Sequence, residues 1–201
     1  MSVPLRRGPF LSRAKVSLNS SDGFGRRLAN ACLDERMEPV PAHAARTTLT
    51  QIMTSVDVNL LGTVHGGVVM RMVDSVAGAA AGRHSKGPAV TVSMDEMVFL
   101  RPVRVGDLIH AHAQVNWAGR TSMEVGVRVT SERWNEIDPP VHVASAYLVF
   151  VAVDDDGRPR QVPSVLAESD EERRRLAEAQ IRRQHRLARR DEIARLRAGD
   201  D

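Results

Sequence analysis

One apolar segment near the middle of the chain restricts the possible folds more than any other feature. Residues 68–81 are apolar on most sides, and their content of Ala and Met favours a helix of about four turns. Three polar side chains interrupt the segment: Arg71, Asp74 and Ser75. Because the helix is apolar on most sides, we expect it to be nearly surrounded by protein. Gly82 and the Gly87-Pro88 pair are predicted to end it.

Segments with the pattern of β-strands lie on both sides of this helix. One precedes it at residues 47–53 and is rich in β-branched residues. Four follow it, at residues 89–99, 107–117, 121–133 and 141–153. The last of them is apolar on both faces, which places it in the interior of a sheet. The connections between the four strands have lengths that suit antiparallel neighbours.

Alternation along these strands predicts which side chains share a face. In the strand at residues 107–117, one face carries Leu108, His110, His112 and Gln114. The opposite face of that strand is apolar and carries Ile109, Ala111, Ala113 and Val115. In the strand at residues 89–99, three apolar side chains are expected on one face: Val90, Val92 and Met94.

A single buried helix wrapped by a long antiparallel sheet is the hotdog fold, which belongs to the α+β class. Doubly wound folds are excluded because they need several crossover helices. We divide the chain into a largely disordered N-terminal arm (residues 1–43), a hotdog domain (44–163) and a charged C-terminal helical extension (164–201). Ser169 and Glu172 have the spacing of a capping box at the start of the C-terminal helix.

The C-terminal extension has three interpretations. Its balanced content of Arg and Glu favours a solvated helix over a nucleic-acid-binding arm. Its apolar residues do not keep a heptad, so we expect no long coiled coil. A helix that joins subunits or binds a partner is the third interpretation, and it is compatible with catalysis elsewhere in the chain.

The distribution of charge argues against a polyanionic partner. The 201 residues include 28 Lys and Arg and 25 Asp and Glu, a net charge of +3. Residues 1–46 carry +4 and residues 168–201 carry +1, whereas residues 47–167 carry −2. Because the predicted domain is slightly acidic, we expect no nucleic-acid binding. Cys32 is the single cysteine, which excludes an intrachain disulfide and a multi-cysteine metal site.

The sequence has no segment with the pattern of a membrane span, and it supports neither a secretory nor a twin-arginine signal. The longest stretch without Asp, Glu, Lys or Arg has 15 residues, 139–153, which is shorter than the roughly 20 that a transmembrane helix needs. Arg6 and Arg7 are not followed by an apolar run. We therefore expect a soluble cytoplasmic protein without membrane insertion.

The segment just before the apolar helix has the composition of a ligand site. His65, Gly66 and Gly67 stand where the helix is predicted to begin. Two glycines let the backbone turn sharply and let a ligand approach it closely, and the first turn of a helix leaves N–H groups that suit an oxyanion. Taken alone, however, a glycine pair more often only relieves crowding.

Two polar residues near this segment, Asp74 and Asn59, have both structural and functional interpretations. Asp74 has mainly small apolar neighbours on its face of the helix, where a carboxylate is costly to bury without a partner. It is either a functional group or the partner of Arg71, three residues earlier. Asn59 alone favours a structural role, in which its side chain hydrogen-bonds its own turn.

The combination of motifs resembles the acyl-CoA hydrolase family of hotdog thioesterases. The similar segments follow the family's order over roughly residues 44–163, at positions 57–59, 65–78, 83–84, 90–95, 99–107, 119–123 and 150–154. The resemblance implies that Asp74 is the catalytic carboxylate and that Asn59 of a second subunit faces it. The protein is then at least a homodimer, and the resemblance suggests a trimer of dimers.

The resemblance also assigns the remaining site residues. His65, Gly66 and Gly67 are expected to position the substrate and to stabilise its oxyanion. The turn formed by Gly119, Arg120, Thr121 and Ser122 is expected to bind coenzyme A (CoA), although these residues also suit an ordinary hairpin turn. No cofactor and no metal ion is expected, since a thiolate leaves readily.

His110 and His112 could form the start of a metal site in the predicted domain. They share one strand face, but no acidic or cysteine ligand accompanies them locally, so we predict no metal there. The sequence therefore predicts an acyl-CoA thioesterase, a hydrolase that releases a free acid and CoA. The alternative is a non-catalytic acyl-CoA sensor, which binds its ligand without turnover.

Overall fold

The part of the chain that the computed structural model describes, residues 37–198, combines strands with two α-helices. The helices are α1 (Gly66–Ser85) and α2 (Asp170–Ala198). The strands are β1 (Val40–Pro41), β2 (Thr47–Ile52), β3 (Ala89–Phe99), β4 (Asp107–Ala118), β5 (Ser122–Arg133), β6 (Val141–Ala152) and β7 (Val165–Leu166). The predicted arm, residues 1–43, lies almost entirely outside the described residues, and so does Cys32.

The five long strands form one antiparallel sheet in the order β2–β4–β5–β6–β3. The interior position predicted for β6 is confirmed. The prediction of antiparallel neighbours is wrong for β3 and β4, which are consecutive in the chain but lie apart in the sheet. Their connection is held in its crossing path because Leu100 N–H donates to the carbonyl of Val143 at 2.8 Å and Val64 N–H donates to the carbonyl of Val103 at 2.9 Å. As a result, β3 is an edge strand.

Helix α1 packs one face against the sheet and leaves the other face open. Its buried face is apolar and comprises Val69, Met72, Val73, Val76, Ala77, Ala80 and Ala81. Met70 is 41% exposed and Asp74 is also exposed, so a single chain does not surround the helix as predicted. The helix also runs through Gly82 instead of ending there, because Lys86 takes the left-handed conformation (φ 55°) that ends it one turn later.

The predicted strand faces are confirmed for β4 and corrected for β3. The apolar side chains of β4, from Ile109 to Val115, are buried under α1. In β3, Val90 and Val92 are 48% and 55% exposed, whereas Met94 packs against the core. Two irregularities in the pairing of β3 with β6 break the alternation and shift these side chains relative to one another.

Helix α2 packs on the face of the sheet opposite to α1, which we call the outer face. Its predicted capping box is confirmed, since Glu172 N–H donates to Ser169 Oγ at 3.2 Å and Ser169 N–H donates to Glu172 Oε2 at 3.2 Å. The expectation of a solvated helix is wrong for its first half. Glu172 and Ala179 are buried. Further along the helix, Arg182 and Arg186 form ion pairs with acidic residues on the strands beneath it.

The chain enters and leaves the sheet domain at neighbouring points. Strand β1 pairs in parallel with β7, with Val40 opposite Val165. Close by in the chain, Arg46 Nη2 donates to Glu172 Oε1 at 3.0 Å and thereby joins residues 126 positions apart.

Among residues 37–198, neither helix is both long enough and apolar enough to cross a bilayer.

Candidate active site

The carboxylate of Asp74 lies on the open face of α1 and contacts the edge strand β3. Thr91 Oγ1 donates a hydrogen bond to Asp74 Oδ1 at 2.7 Å, and both residues are exposed. Among the ion pairs of residues 37–198, none joins Asp74 to Arg71. The structural alternative for Asp74 is therefore not what the chain adopts, and the carboxylate is held instead by a neutral hydroxyl donor.

Thr91 is a candidate site residue that sequence reasoning missed. It lies inside the segment 90–95, which resembles the family, but nothing in the local sequence tells which of its side chains face the helix. Thr91 pairs with Phe150 of β6, and Phe150 is buried on the α1 side of the sheet. The register therefore places the Thr91 hydroxyl beside Asp74.

The start of α1 shows how the predicted oxyanion residues are arranged. His65 is the N-cap, and its Nδ1 accepts a hydrogen bond from Gly67 N–H at 2.9 Å. The Gly67 amide is therefore engaged in this conformation. Within the described residues, no hydrogen bond uses the Gly66 N–H. Gly66 lines a groove of about 330 Å³, and a side chain at this position would approach the Phe99 ring to 3.4 Å.

Asn59 hydrogen-bonds within its own loop. Its Oδ1 accepts from the N–H groups of Leu61 and Thr63 at 2.8 and 3.2 Å, and its Nδ2 donates to Thr63 Oγ1 at 2.9 Å. This is the structural role that the sequence also allowed. Asp74 lies eight residues into α1, about 12 Å along its axis, and no hydrogen bond of the described chain joins it to Asn59. The tip of the Asn59 loop is apolar and exposed, with Leu60 at 105% and Leu61 at 87%.

The predicted CoA-binding residues form the turn between β4 and β5. Gly119 N–H donates to the carbonyl of Ser122 at 2.8 Å and closes the turn. The Trp117 ring lies so close that a Cβ on Gly119 would be 2.6 Å from it. The carbonyl of Arg120 accepts a hydrogen bond from a residue that follows β6, and the carbonyl of Thr121 accepts one from the last residue of β6. The Arg120 side chain is left exposed, so the turn presents one cation.

The turn and the start of α1 lie at opposite ends of the sheet. Ser122 is aligned with Val151 of β6, which is aligned with Val90 near the beginning of β3. Gly66, by contrast, lies against Phe99, the last residue of β3. One chain therefore does not bring all the predicted site residues together.

The two histidines of β4 have partners that the local sequence did not indicate. His110 Nε2 lies 3.0 Å from Glu132 Oε1 and its Nδ1 lies 2.9 Å from Thr50 Oγ1. An acidic residue accompanies His110 from the neighbouring strand. Burial, then the nearby His110 and Arg128, lower the pKa of His112. Residues 37–198 contain no group of three or more ligating side chains that could hold a metal ion.

Comparisons with known proteins identify the family. The family model described as the thioesterase superfamily matches residues 61–136. An uncharacterised acyl-CoA thioester hydrolase of Bacillus subtilis is 35% identical over 128 residues, which are 64% of this chain and 74% of that protein. The cytosolic acyl coenzyme A thioester hydrolase of the mouse is 32% identical over 152 residues, 72% of this chain, but the match spans only 38% of the mouse protein.

Solved structures agree with this assignment. The crystal structure of an apo-hexameric acyl-CoA thioesterase is 35% identical, with a TM-score of 0.73 over 76% of this chain and 97% of that one. An acyl-CoA hydrolase from Staphylococcus aureus, solved with butyryl-CoA, CoA and CoA disulfide, is 33% identical, with a TM-score of 0.72 over 79% of this chain and 94% of that one. Structures also exist of its variants in which an aspartate, an asparagine or a threonine is replaced by alanine. The chain therefore belongs to the thioesterase superfamily, as a hotdog-fold member of the acyl-CoA thioester hydrolases.

Proposed function

We propose that this chain hydrolyses acyl-CoA thioesters with Asp74 as the catalytic carboxylate and Thr91 as the residue that positions it. The observation that carries the proposal is the hydrogen bond from Thr91 to Asp74 on the open face of α1. The spacing of the S. aureus variants supports it. In that enzyme the replaced asparagine precedes the aspartate by 15 residues and the threonine follows it by 17, the same separations as between Asn59, Asp74 and Thr91.

The reaction needs a nucleophile and a means of stabilising charge on the thioester oxygen. Asp74 either takes a proton from a water that attacks the carbonyl carbon, or attacks that carbon itself. A new C–O bond forms, the C–S bond breaks, and the CoA sulfur leaves as a thiolate that takes up a proton. Where the carboxylate itself attacks, the product is a mixed anhydride of the acyl group with Asp74, which a water molecule then hydrolyses to release the free acid. Because the Asp74 carboxylate is exposed in one chain, a covering surface is needed to exclude bulk water.

The start of α1 supplies the candidate donors for the oxyanion. The Gly66 N–H is the better candidate, because the Gly67 N–H is already bonded to the His65 ring. Rotation of the His65 side chain would free the second amide. Each preorganised donor of this kind stabilises a transition state by about 3 kcal/mol.

A second copy of the chain completes the site in this proposal. The edge strand β3 exposes Val90, Val92 and Val98, and an unpaired apolar edge is suited to pairing with another strand. Pairing of β3 with its counterpart would cover the open face of α1 and would let Asn59 of one subunit approach Asp74 of the other. The hexameric relatives support further assembly into a trimer of dimers.

The CoA portion of the substrate is assigned to the turn Gly119, Arg120, Thr121 and Ser122. Arg120 presents a cation for a phosphate group, and the hydroxyls of Thr121 and Ser122 are further hydrogen-bonding groups.

The cytosolic relatives support a cytoplasmic location.

The test is a panel of acyl-CoA esters from short to long, with release of free thiol as the measurement. Wild-type protein is expected to hydrolyse at least one ester, and Asp74→Asn, which keeps the shape of the side chain, should lower kcat by about 100-fold or more. Asp155→Asn, which removes a carboxylate from an exposed turn, is the matched control and should not change the rate. Tight binding without turnover would instead support a sensor, and unchanged turnover in Asp74→Asn would refute the assignment of the site.

A further inference from the structure

Helix α2 crosses the outer face of the sheet and reaches its β3 edge. Arg182 Nη2 donates to Glu124 Oε1 on β5 at 2.7 Å, and its guanidinium lies 3.6 Å from the centre of the Tyr147 ring on β6. One turn later, Arg186 forms an ion pair with Asp95 of β3. Because the sheet order is β5–β6–β3 on this side, the helix has passed over the last strand by residue 186.

Twelve residues of α2, 187–198, follow this last anchoring contact. We call them the projecting segment. At 1.5 Å per residue they extend about 18 Å, and neighbouring strands lie about 4.8 Å apart. The segment is therefore long enough to pass over about three strands beyond the edge. Residues 188–198 are all exposed, including Ile193 at 42% and Leu196 at 65%.

The charges of the projecting segment complement the edge that it leaves. The segment contains four arginines and two acidic residues, and two of the arginines pair with those acids within the helix. Arg189 has no ion pair among the described residues, and the same is true of Glu96 on the outer face of β3. Both line a cleft of about 280 Å³ where the helix crosses the strand. A free cation on the helix and a free anion on the edge strand are thus available to a reciprocal contact.

We propose that the projecting segment docks on the outer face of a second copy of this chain, across the β3 edge. This inference rests on the dimer of the proposed function, in which the two β3 strands pair. A two-fold axis normal to that joint sheet places the outer face of one subunit beside the outer face of the other. Each projecting segment then continues onto its partner, with Ile193 and Leu196 covered there and Arg189 close to the partner's Glu96.

Such a contact would also cover the apolar side chains of the segment. The projecting segment continues a helix of 29 residues and touches little of its own subunit. Docking on a partner supplies the apolar cover that Ile193 and Leu196 lack. The helix would then hold two subunits together on the side of the sheet opposite to both proposed active sites.

The first experiment maps the neighbours of the segment in the full-length protein. A photo-crosslinking benzoylphenylalanine is placed at position 193 in chains labelled with either ¹⁴N or ¹⁵N, which are mixed and allowed to exchange subunits. Mass spectrometry of crosslinked peptides should find mixed-isotope pairs that join residue 193 to β3, β6 or α2 of the other copy. The same probe at Gln180, which is exposed over its own subunit, measures the background and should give no mixed pairs.

The second experiment weakens the contact without touching the proposed active site. Ile193→Glu with Leu196→Glu should raise the dimer dissociation constant at least about 10-fold, which corresponds to about 1.4 kcal/mol. Gln184→Glu, at an exposed position before the projecting segment, is the matched control and should leave the constant within about 2-fold.

The outcomes separate this inference from the proposed function. Crosslinks from residue 193 that stay within one isotope, or that reach residues 1–36, would overturn the docking on a second copy, and so would an unchanged dissociation constant in the double variant. If those results came with a stable dimer and normal acyl-CoA hydrolysis, only this inference would fail. A monomeric wild-type protein would overturn this inference together with the two-subunit site.

Discussion

Replacing Thr91 by valine tests the most specific part of the proposed site. Valine has nearly the shape of threonine and lacks the hydroxyl that donates to Asp74 Oδ1 at 2.7 Å. Hydrogen bonds to charged groups contribute about 1.5–3 kcal/mol, and the lower end applies because both residues are exposed in one chain. A loss of about 1.4 kcal/mol of transition-state stabilisation lowers the rate about tenfold.

The substitution acts through the orientation of the Asp74 carboxylate. Without the donor, the carboxylate becomes free to rotate among staggered rotamers, most of which do not face the substrate. Because orientation is lost for every substrate, we expect kcat to fall about tenfold in Thr91→Val, with KM changed less than threefold.

The assay is steady-state thiol release at several acyl-CoA concentrations, so that kcat and KM are obtained separately. Thr91→Ser keeps the donor and is the matched control, and it should retain at least about one third of the wild-type kcat. If Thr91 had only a structural role, both variants would lose stability, and their kcat values would not differ in this way. A Thr91→Val enzyme with wild-type kcat, or an equally impaired Thr91→Ser enzyme, would refute the positioning role.

Three further predictions address stability and substrate binding. Burial lowers the pKa of His84, so this side chain takes up its proton at a higher pH in the unfolded chain than in the folded one. The free energy of unfolding should therefore be fully retained above about pH 6.5. Below that pH it should fall by up to about 1.4 kcal/mol per pH unit. Urea unfolding of His84→Gln should show a weaker loss between pH 7.5 and 5, whereas His185→Gln, at an exposed position, should behave as wild type. Arg182→Met leaves the 1%-exposed carboxylate of Glu124 without its cation and should cost about 3 kcal/mol, or about 6–12 °C in Tm. Adding Glu124→Gln should recover at least half of that loss at the same protein concentration, and a double variant no more stable than the single one would contradict the ion-pair argument. Arg120→Ala should raise KM for acyl-CoA about tenfold by removing a phosphate partner and leave hydrolysis of an acyl thioester of N-acetylcysteamine unchanged; equal effects on both substrates would contradict CoA binding at this turn.

The sequence predicted the elements of this fold better than their arrangement. The alternation of β4 and the apolar character of β6 are local patterns, and both gave the correct faces and burial. The separation of β3 from β4 depends on hydrogen bonds of Leu100 and Val64 to distant residues, which no local pattern encodes. The end of α1 was misplaced for a different reason. Glycine often ends helices, which favoured Gly82, but in this chain Lys86 takes the left-handed conformation instead.

The candidate site was predictable where a motif carries the chemistry, and less so where register does. Asp74, Asn59 and the glycines at the start of α1 follow from their motifs, although their catalytic roles stay predictions. Thr91 was missed because only the pairing of β3 with β6 shows that it faces α1. The docking of α2 was missed because its contacts join arginines of a charged helix to Glu124 and Asp95, acidic residues in strands far away in the chain.

The parallel pairing of β1 with β7 has a consequence for how this domain can be combined with others. It places the start of the sheet domain beside the point where the chain passes into α2, with Val40 opposite Val165. A second unit joined directly after β7 would therefore begin close to β1, but it would take the place of α2, whose ion pair with Asp95 reaches the β3 edge. A tandem duplication that keeps α2 must instead begin its second copy beyond that helix, on the other side of the sheet.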